Sequence, residues 1–178
     1  QVGILNFSDT IAGTSIGLLS FARRGYHRVD VSTTDIFPLS VTLRTGTRQF
    51  HNILGVSTSA TNDRRWGFLY GFGTEPRLAE SSYLNIELTG EQVVEVPDWL
   101  NAVNILGRFG THYTHQFGEH LLLSAGPNFN LLVSTWRNAD RTVHLSDLAP
   151  ANLLYEEVRG TVLLQGWLGF RVGIGVRF

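Results

Sequence analysis

Three histidines lie close together in this chain, and imidazole nitrogens at short spacing are typical ligands of a metal ion. They are His112, His115 and His120. In an extended strand, side chains separated by an odd number of residues point to opposite faces, so His112 and His115 would not share one ion. The other three histidines have no carboxylate or cysteine at ligand spacing. The sequence therefore predicts no metal site and no cofactor.

A second candidate for chemistry is the group His144, Ser146 and Asp147, which contains the residue types of a serine hydrolase. A catalytic triad, however, is built by spatial convergence and not by adjacency in sequence. No glycine-flanked nucleophile accompanies these residues. We therefore expect no catalytic residues and no enzymatic activity. A lipid-modifying hydrolase is kept as the second alternative to the structural or partner-binding role that is expected below.

The composition of the chain excludes several classes of protein. The 178 residues suffice for one domain with a core, residues 1–178. Only 16% are charged and 43% are hydrophobic, whereas an ordinary soluble domain has about 25% charged residues. The absence of cysteine excludes disulfides, and the net charge of -1 argues against a nucleic-acid partner. The chain therefore has an unusually apolar surface in water, or it is surrounded by a solvent other than water.

The elements that would position any site follow from a two-residue hydrophobic period. Residues 161–178 alternate between a face without polar side chains and a face of Arg, Gln, Thr, Gly and Trp. The same alternation recurs in 66–73, 83–89, 103–117 and 120–136, with shorter candidates at 37–45 and 49–58. Strands of 13 to 18 residues exceed the usual 5–6. Long strands with one uncharged apolar face are typical of a membrane barrel, whereas a soluble sandwich or barrel is the alternative.

The last eight residues, Arg171 to Phe178, place a glycine before hydrophobic residues that alternate up to a terminal aromatic residue. This arrangement resembles the C-terminal insertion signal of Gram-negative outer-membrane β-barrel proteins, with Gly173, Val176 and Phe178 at the signal positions. Val176 stands where that family often has an aromatic residue. The resemblance implies an integral outer-membrane location with a periplasmic C-terminus. It also implies assembly by the outer-membrane insertion machinery, with membrane lipids and lipopolysaccharide as surroundings.

The N-terminal residues 1–28 consist of two copies of a 14-residue unit, in which Gly3 matches Gly17 and Phe7 matches Phe21. These copies resemble the short GhQhGhhN surface repeats of some bacterial outer-membrane proteins. We expect an all-β, closed, antiparallel, up-and-down transmembrane barrel. Ten strands are favoured, because both repeats then join the wall, and eight strands plus an N-terminal repeat hairpin are the alternative.

The inward face of such a barrel collects the polar side chains. Small barrels have interiors just wide enough for side chains to fill, and buried guanidinium groups need carboxylate or amide partners. We expect a polar lumen network that fills the barrel, made of Arg44, Glu87, Arg108, Asn128, Asn130, Gln165 and Arg171. The expected role is structural or partner-binding, as one subunit of an outer-membrane complex; a small pore or transporter is the first alternative.

A long connection at 137–160 is expected on the extracellular side, and loops of this length are usually functional or disordered. Its apolar cluster, together with an aromatic residue of the preceding long loop, predicts a surface for another envelope protein. The residues of this surface are Trp99, Leu148, Leu153, Leu154 and Tyr155. The alternative is that the cluster packs onto the mouth of its own barrel as a lid.

Overall fold

The computed structural model describes residues 25–59, 65–95, 103–137 and 146–178, together with the backbone of two strands nearer the N-terminus. The described residues form twelve strands and no helix: β1 (Val2–Ser8), β2 (Ile16–Ala22), β3 (Tyr26–Thr34), β4 (Leu39–Gly46), β5 (His51–Thr58), β6 (Trp66–Thr74), β7 (Arg77–Ala79), β8 (Ser82–Val94), β9 (Asn104–Phe117), β10 (Leu121–Ser134), β11 (Tyr155–Arg159) and β12 (Val162–Arg177). Across these residues no helix is long and apolar enough to span a membrane.

Eight of the described strands close into an antiparallel barrel, and the prediction of an all-β barrel is confirmed. The order around the wall is β3, β4, β5, β6, β8, β9, β10 and β12. The wall closes because β12 pairs with β10 along one edge and with β3 along the other. Closure removes the free edges that an open sheet would present. Two short strands are accessory, since β7 pairs with β8, and β11 pairs with the first residues of β12.

The favoured count of ten wall strands is wrong, because the hydrogen bonds between β3 and β12 leave no place for β1 and β2 in the wall. Eight strands, the alternative, form the described wall. The N-terminal copies do not form a hairpin either. β1 and β2 pair in parallel, and equivalent positions of the two 14-residue units lie opposite one another, such as Gly3 and Gly17.

The two ends of the barrel differ in the length of their connections. The C-terminus, the turn 118–120 and the segment 47–50 lie at one end, which we call the C-terminal end. There Arg177 N donates a hydrogen bond to His120 O at 2.9 Å, and Glu75 N donates one to Arg48 O at 2.7 Å. Gly118 has a φ of 62°, which a residue with a Cβ rarely adopts, so this turn depends on glycine. The two longest connections, which follow β8 and β10, lie at the opposite end, which we call the long-loop end.

The wall separates two chemically different surfaces. Along β10, buried and exposed residues alternate for almost the entire strand. No Asp, Glu, Lys or Arg stands on the outward face of the eight wall strands, every residue of which the structure describes. The outward side chains are instead mostly aliphatic and aromatic, with Phe109 48% exposed and Val172 46% exposed. Charged side chains of the wall therefore point into the lumen.

Candidate functional site: the filled lumen and its mouth

A series of ion pairs begins at the C-terminal end of the lumen. Arg177 Nη2 lies 2.5 Å from Glu75 Oε1. The second oxygen of that carboxylate, Oε2, accepts a hydrogen bond from Arg28 Nη1 at 2.9 Å and one from Tyr26 OH at 2.7 Å. Arg28 Nη2 lies 2.5 Å from Asp30 Oδ1. The side chains of Glu75, Arg28 and Asp30 are fully buried, so water does not weaken these pairs.

The series continues to the middle of the barrel. Asp30 Oδ2 accepts a hydrogen bond from Arg44 Nε at 2.6 Å. Arg44 also donates to Glu87 through its Nη1, and the other oxygen of Glu87 accepts from Arg171 Nη1 at 3.0 Å. We call this set the ladder; in order, it consists of Arg177, Glu75, Arg28, Asp30, Arg44, Glu87 and Arg171.

The arrangement of strands explains why the ladder alternates in charge. Arg28 and Arg44 are directly opposite partners on the adjacent strands β3 and β4, so two positive charges lie side by side on the inner face of the wall. Asp30 stands two residues beyond Arg28 on the same inward face, and its two oxygens bind one guanidinium each. Removing one partner of a buried ion pair typically costs about 3–5 kcal/mol. Each carboxylate of the ladder binds two guanidinium groups, which offsets its desolvation.

A second polar group lies nearer the long-loop end. Arg108 Nη2 lies 3.0 Å from Glu91 Oε2, and Arg108 Nε donates to Asn130 Oδ1 at 3.2 Å. The amide nitrogen of Asn130 donates to Asp35 Oδ2 at 3.3 Å, which also accepts from Trp167 Nε1 at 2.7 Å. These contacts tie β8, β9, β10 and β12 to the segment that joins β3 and β4.

The space between the ladder and this second group is almost filled. His112 Nε2 lies 2.7 Å from Asn128 Oδ1. Together with Thr42, Glu87 and Arg171, these two residues line a cavity of about 20 Å³, which is room for about one water molecule. Side chains of the described strands therefore occupy most of the centre of the barrel.

An apolar layer closes the long-loop end. We call residues 146–153 the cap, since they lie across the mouth of the barrel. Leu148 is only 6% exposed, and Leu153 and Ala149 pack beside it. The cap residues contact a buried cluster from the wall and the β3–β4 connection, namely Phe37, Val93, Leu106, Leu132 and Trp167.

Polar contacts hold the cap at its rim. Arg65 Nε lies 3.5 Å from Glu95 Oε1, and the same guanidinium pairs with Asp147 of the cap. Glu95 Oε2 accepts a hydrogen bond from Asn104 Nδ2 at 2.7 Å. Burial raises the pKa of the Glu95 carboxyl above its ordinary value, and the nearby charge of Asp147 adds to this rise, although Ser146 and Arg65 oppose it. The folded structure therefore favours the protonated form of Glu95.

The predicted lumen residues occupy two kinds of place. Gln165 lies apart from the others, because its Nε2 donates at 2.8 Å to Glu156 of the accessory strand β11, which pairs with the first part of β12. The remaining residues are buried in the lumen and take part in the contacts described above: Arg44, Glu87, Arg108, Asn128, Asn130 and Arg171.

Sequence reasoning missed three of the four carboxylates that pair with the lumen arginines, and it missed Arg28. Asp30 and Arg28 lie in a strand whose flanks are polar, so its alternation was too weak to predict it. Glu75 lies in a connection, and Glu91 lies beyond the predicted end of its strand at residue 89. A usable signal was the pattern of Arg and Asp on either side of Val29, which places both charges on one face.

The predicted partner surface divides into buried and exposed residues. Leu148 is buried and Leu153 is half-buried within the cap, as the lid alternative expects. Leu154 and Tyr155 are 64% and 44% exposed. Trp99 lies outside the described residues.

The residues considered as metal ligands or as catalytic groups lie in different parts of the structure. His112 faces the lumen, whereas the ring of His115 packs edge-on against Phe117 on the outer surface at 4.6 Å. His120 lies in the C-terminal-end turn, where its Nδ1 is 2.8 Å from Arg177 O. Ser146 and Asp147 belong to the cap, and His144 lies outside the described residues. No group of three potential metal ligands occurs among the residues that the structure describes.

The residues of the predicted insertion signal lie at the end of β12, the strand whose pairing closes the barrel. Gly173 points into the lumen, and Val176 is 49% exposed on the outer face. Phe178 is 68% exposed, its N donates to His27 O at 3.2 Å, and its ring stacks on that of His27 at 5.9 Å. The terminal aromatic residue thus lies on the outside, where β12 meets β3.

Comparison with known proteins found no matching family model, no matching curated protein and no matching solved structure. Any function must therefore be argued from the barrel itself.

Proposed function

We propose that this chain is an integral outer-membrane β-barrel protein whose lumen is filled and whose role is structural or partner-binding. The observation that carries the proposal is the outward face of the wall. It is uncharged on all eight strands, whereas a water-soluble barrel would expose charged residues there. Exposed apolar patches on soluble monomers rarely exceed a few hundred Å², and here the apolar surface encircles the molecule.

The height of this surface suits a bilayer. On β9 the outward apolar residues extend from Ile105 to Phe117. At about 3.4 Å per residue and a strand tilt of about 45°, this segment is about 29 Å high, close to the apolar band of about 25 Å in outer-membrane barrels. A closed barrel also satisfies its backbone hydrogen bonds within the wall, which a hydrocarbon solvent requires.

The filled lumen supports a structural or binding role over conduction. The ladder and the second polar group fill the interior, and the central cavity is only about 20 Å³. The cap adds an apolar layer across one mouth. A pore would need a wider barrel or an emptier interior.

Exposed apolar side chains near the long-loop end support the binding of another envelope protein. Leu154 is 64% exposed and Val158 of β11 is 55% exposed. Neither belongs to the wall, so a bilayer that surrounds the wall need not cover them. A partner that packs against β11 would remove this apolar surface from water.

Two measurements test the proposal. Membrane fractionation of producing cells should place the chain in the outer membrane as a species whose gel mobility changes on heating. The refolded chain in a planar bilayer should carry no steady current, with heat-denatured protein as the control. Recovery in a soluble fraction would contradict the membrane proposal, and a steady open-channel current would contradict the filled lumen in favour of a small pore.

A further inference from the structure

The ladder carries an excess of positive charge. Both of its ends are arginines, so its four guanidinium groups exceed its three carboxylates by one. The second polar group has the opposite imbalance, but its carboxylates, Glu91 and Asp35, bind Arg108, Asn130 and Trp167 instead of the ladder. Arg177 lies near the C-terminal end of the barrel, whereas Arg171 lies in the interior, where it is 7% exposed. Its Nη1 binds Glu87, whose other oxygen is already bound to Arg44. A buried charge without full compensation is costly.

Three hydrogen-bond donors near this inner end lack a protein acceptor among the described residues. They are Arg171 Nη2, Asn128 Nδ2 and Thr42 Oγ1, and all three atoms are buried. Asn128 directs its oxygen toward His112, which leaves its amide nitrogen as a donor. All three residues line the cavity of about 20 Å³. Native structures rarely leave buried donors unsatisfied.

We propose that this cavity is a binding site for one small monovalent anion of halide size, held by Arg171, Asn128 and Thr42. A halide can accept hydrogen bonds from all three donors and cancels the excess charge of the ladder. A water molecule accepts only two hydrogen bonds and leaves that charge in place. Phosphate, sulfate and carboxylates are too large for the cavity. The inference depends on the lumen alone and not on the location of the protein.

The direct test is crystallography of the full chain refolded in sodium bromide, so that the ion is present when the lumen forms. We expect one anomalous bromide peak within hydrogen-bond distance of Arg171 Nη2, Asn128 Nδ2 and Thr42 Oγ1. Density of a light atom at that position without an anomalous signal would show a water molecule and overturn the proposal.

Unfolding in two salts of equal ionic strength provides an independent measurement. At chloride concentrations above the dissociation constant of the site, each tenfold rise in chloride should raise the midpoint temperature of unfolding by about 4 °C. Gluconate is too large for the cavity and should not raise that temperature. Arg171→Gln balances the ladder and should abolish the difference between the salts. Ser124→Ala is the matched control, since this buried lumen serine binds Gly173 O and does not line the cavity, and it should keep the difference.

If Arg171→Gln does not fold, Thr42→Val tests the anion site instead, because it removes one hydrogen-bond donor with almost no change in side-chain volume. The chloride concentration of half-maximal effect should then rise about tenfold or more, as expected for the loss of one hydrogen bond to a charged group. Equal midpoints in chloride and gluconate for the unchanged protein, or an undiminished chloride effect in Thr42→Val, would refute the anion site.

Discussion

Val172 is the middle residue of the outward apolar series that β12 carries from Leu168 to Val176. It lies opposite Ala125 on one neighbouring strand and Thr33 on the other, and its side chain is 46% exposed. Replacing it with arginine places a charge at mid-height on the outer surface. The change leaves the ladder intact, because Arg171 points to the other side of the wall.

The loss of folding free energy that this substitution causes depends on the solvent around the wall. An outward arginine at the bilayer midplane costs about 2–4 kcal/mol, which falls to about 1 or less near the interfaces. In water, a substitution at a half-exposed site usually changes stability by no more than about 0.5 kcal/mol. A cost of about 3 kcal/mol lowers the folding equilibrium constant by roughly 150-fold, so the two cases are well separated.

Urea unfolding of the protein in lipid vesicles measures this cost, with Leu78→Arg as the matched control. Leu78 is 58% exposed but belongs to β7, outside the wall and near the C-terminal end. We expect Val172→Arg to lose about 3 kcal/mol of folding free energy and Leu78→Arg to lose about 1 kcal/mol or less. Equal, small losses for both variants would refute the membrane assignment, since only water treats the two positions alike.

Three further predictions concern the end of β12, the mouth and the cap. Deletion of Phe178 should leave a chain that is exported but inserts poorly; normal amounts of heat-modifiable barrel in the outer membrane would contradict a role in insertion. Because the pKa of Glu95 is raised from 4.5, its contribution to stability should be present at low pH and lost as pH rises from about 4.5 through the raised pKa. Glu95→Gln should remove that decline in a pH series of unfolding curves, and an unchanged series would show that Glu95 does not cause it. Leu148→Ala should cost about 2–5 kcal/mol as a buried cap residue, whereas Leu154→Ala should stay within about 0.5 kcal/mol; equal costs would show that the cap does not pack on the barrel.

Local patterns were sufficient to predict the long strands and their faces. The alternation of residues 161–178 and 103–117 predicted β12 and β9, since the two-residue period is a property of each strand by itself. The same parity predicted which side chains of these strands point inward, including Arg108 and Arg171. Weakly alternating or irregular segments such as 26–34 and the connection that contains Glu75 offered no such signal.

The number of wall strands depended on tertiary pairing. The repeat in residues 1–28 is visible in the sequence, but its two strands could pair with the wall or with each other. The edge of β3 is occupied by β12, more than 130 residues away in the chain, and β1 and β2 pair in parallel with each other. No local pattern encodes which edges meet when a sheet closes.

The sequence by itself therefore determined an all-β chain with one uncharged face and one polar face, because alternation and composition act over a few residues. Only the tertiary structure decided which charges meet inside the barrel. Arg44 and Arg171 reach the same Glu87 from positions 43 and 84 residues away. That convergence depends on the closure and register of eight strands, and so does the cavity beside Arg171. The physical reason is that hydrophobic periodicity specifies the direction of a side chain, whereas its partner is specified by which strand lies across the lumen at the same height.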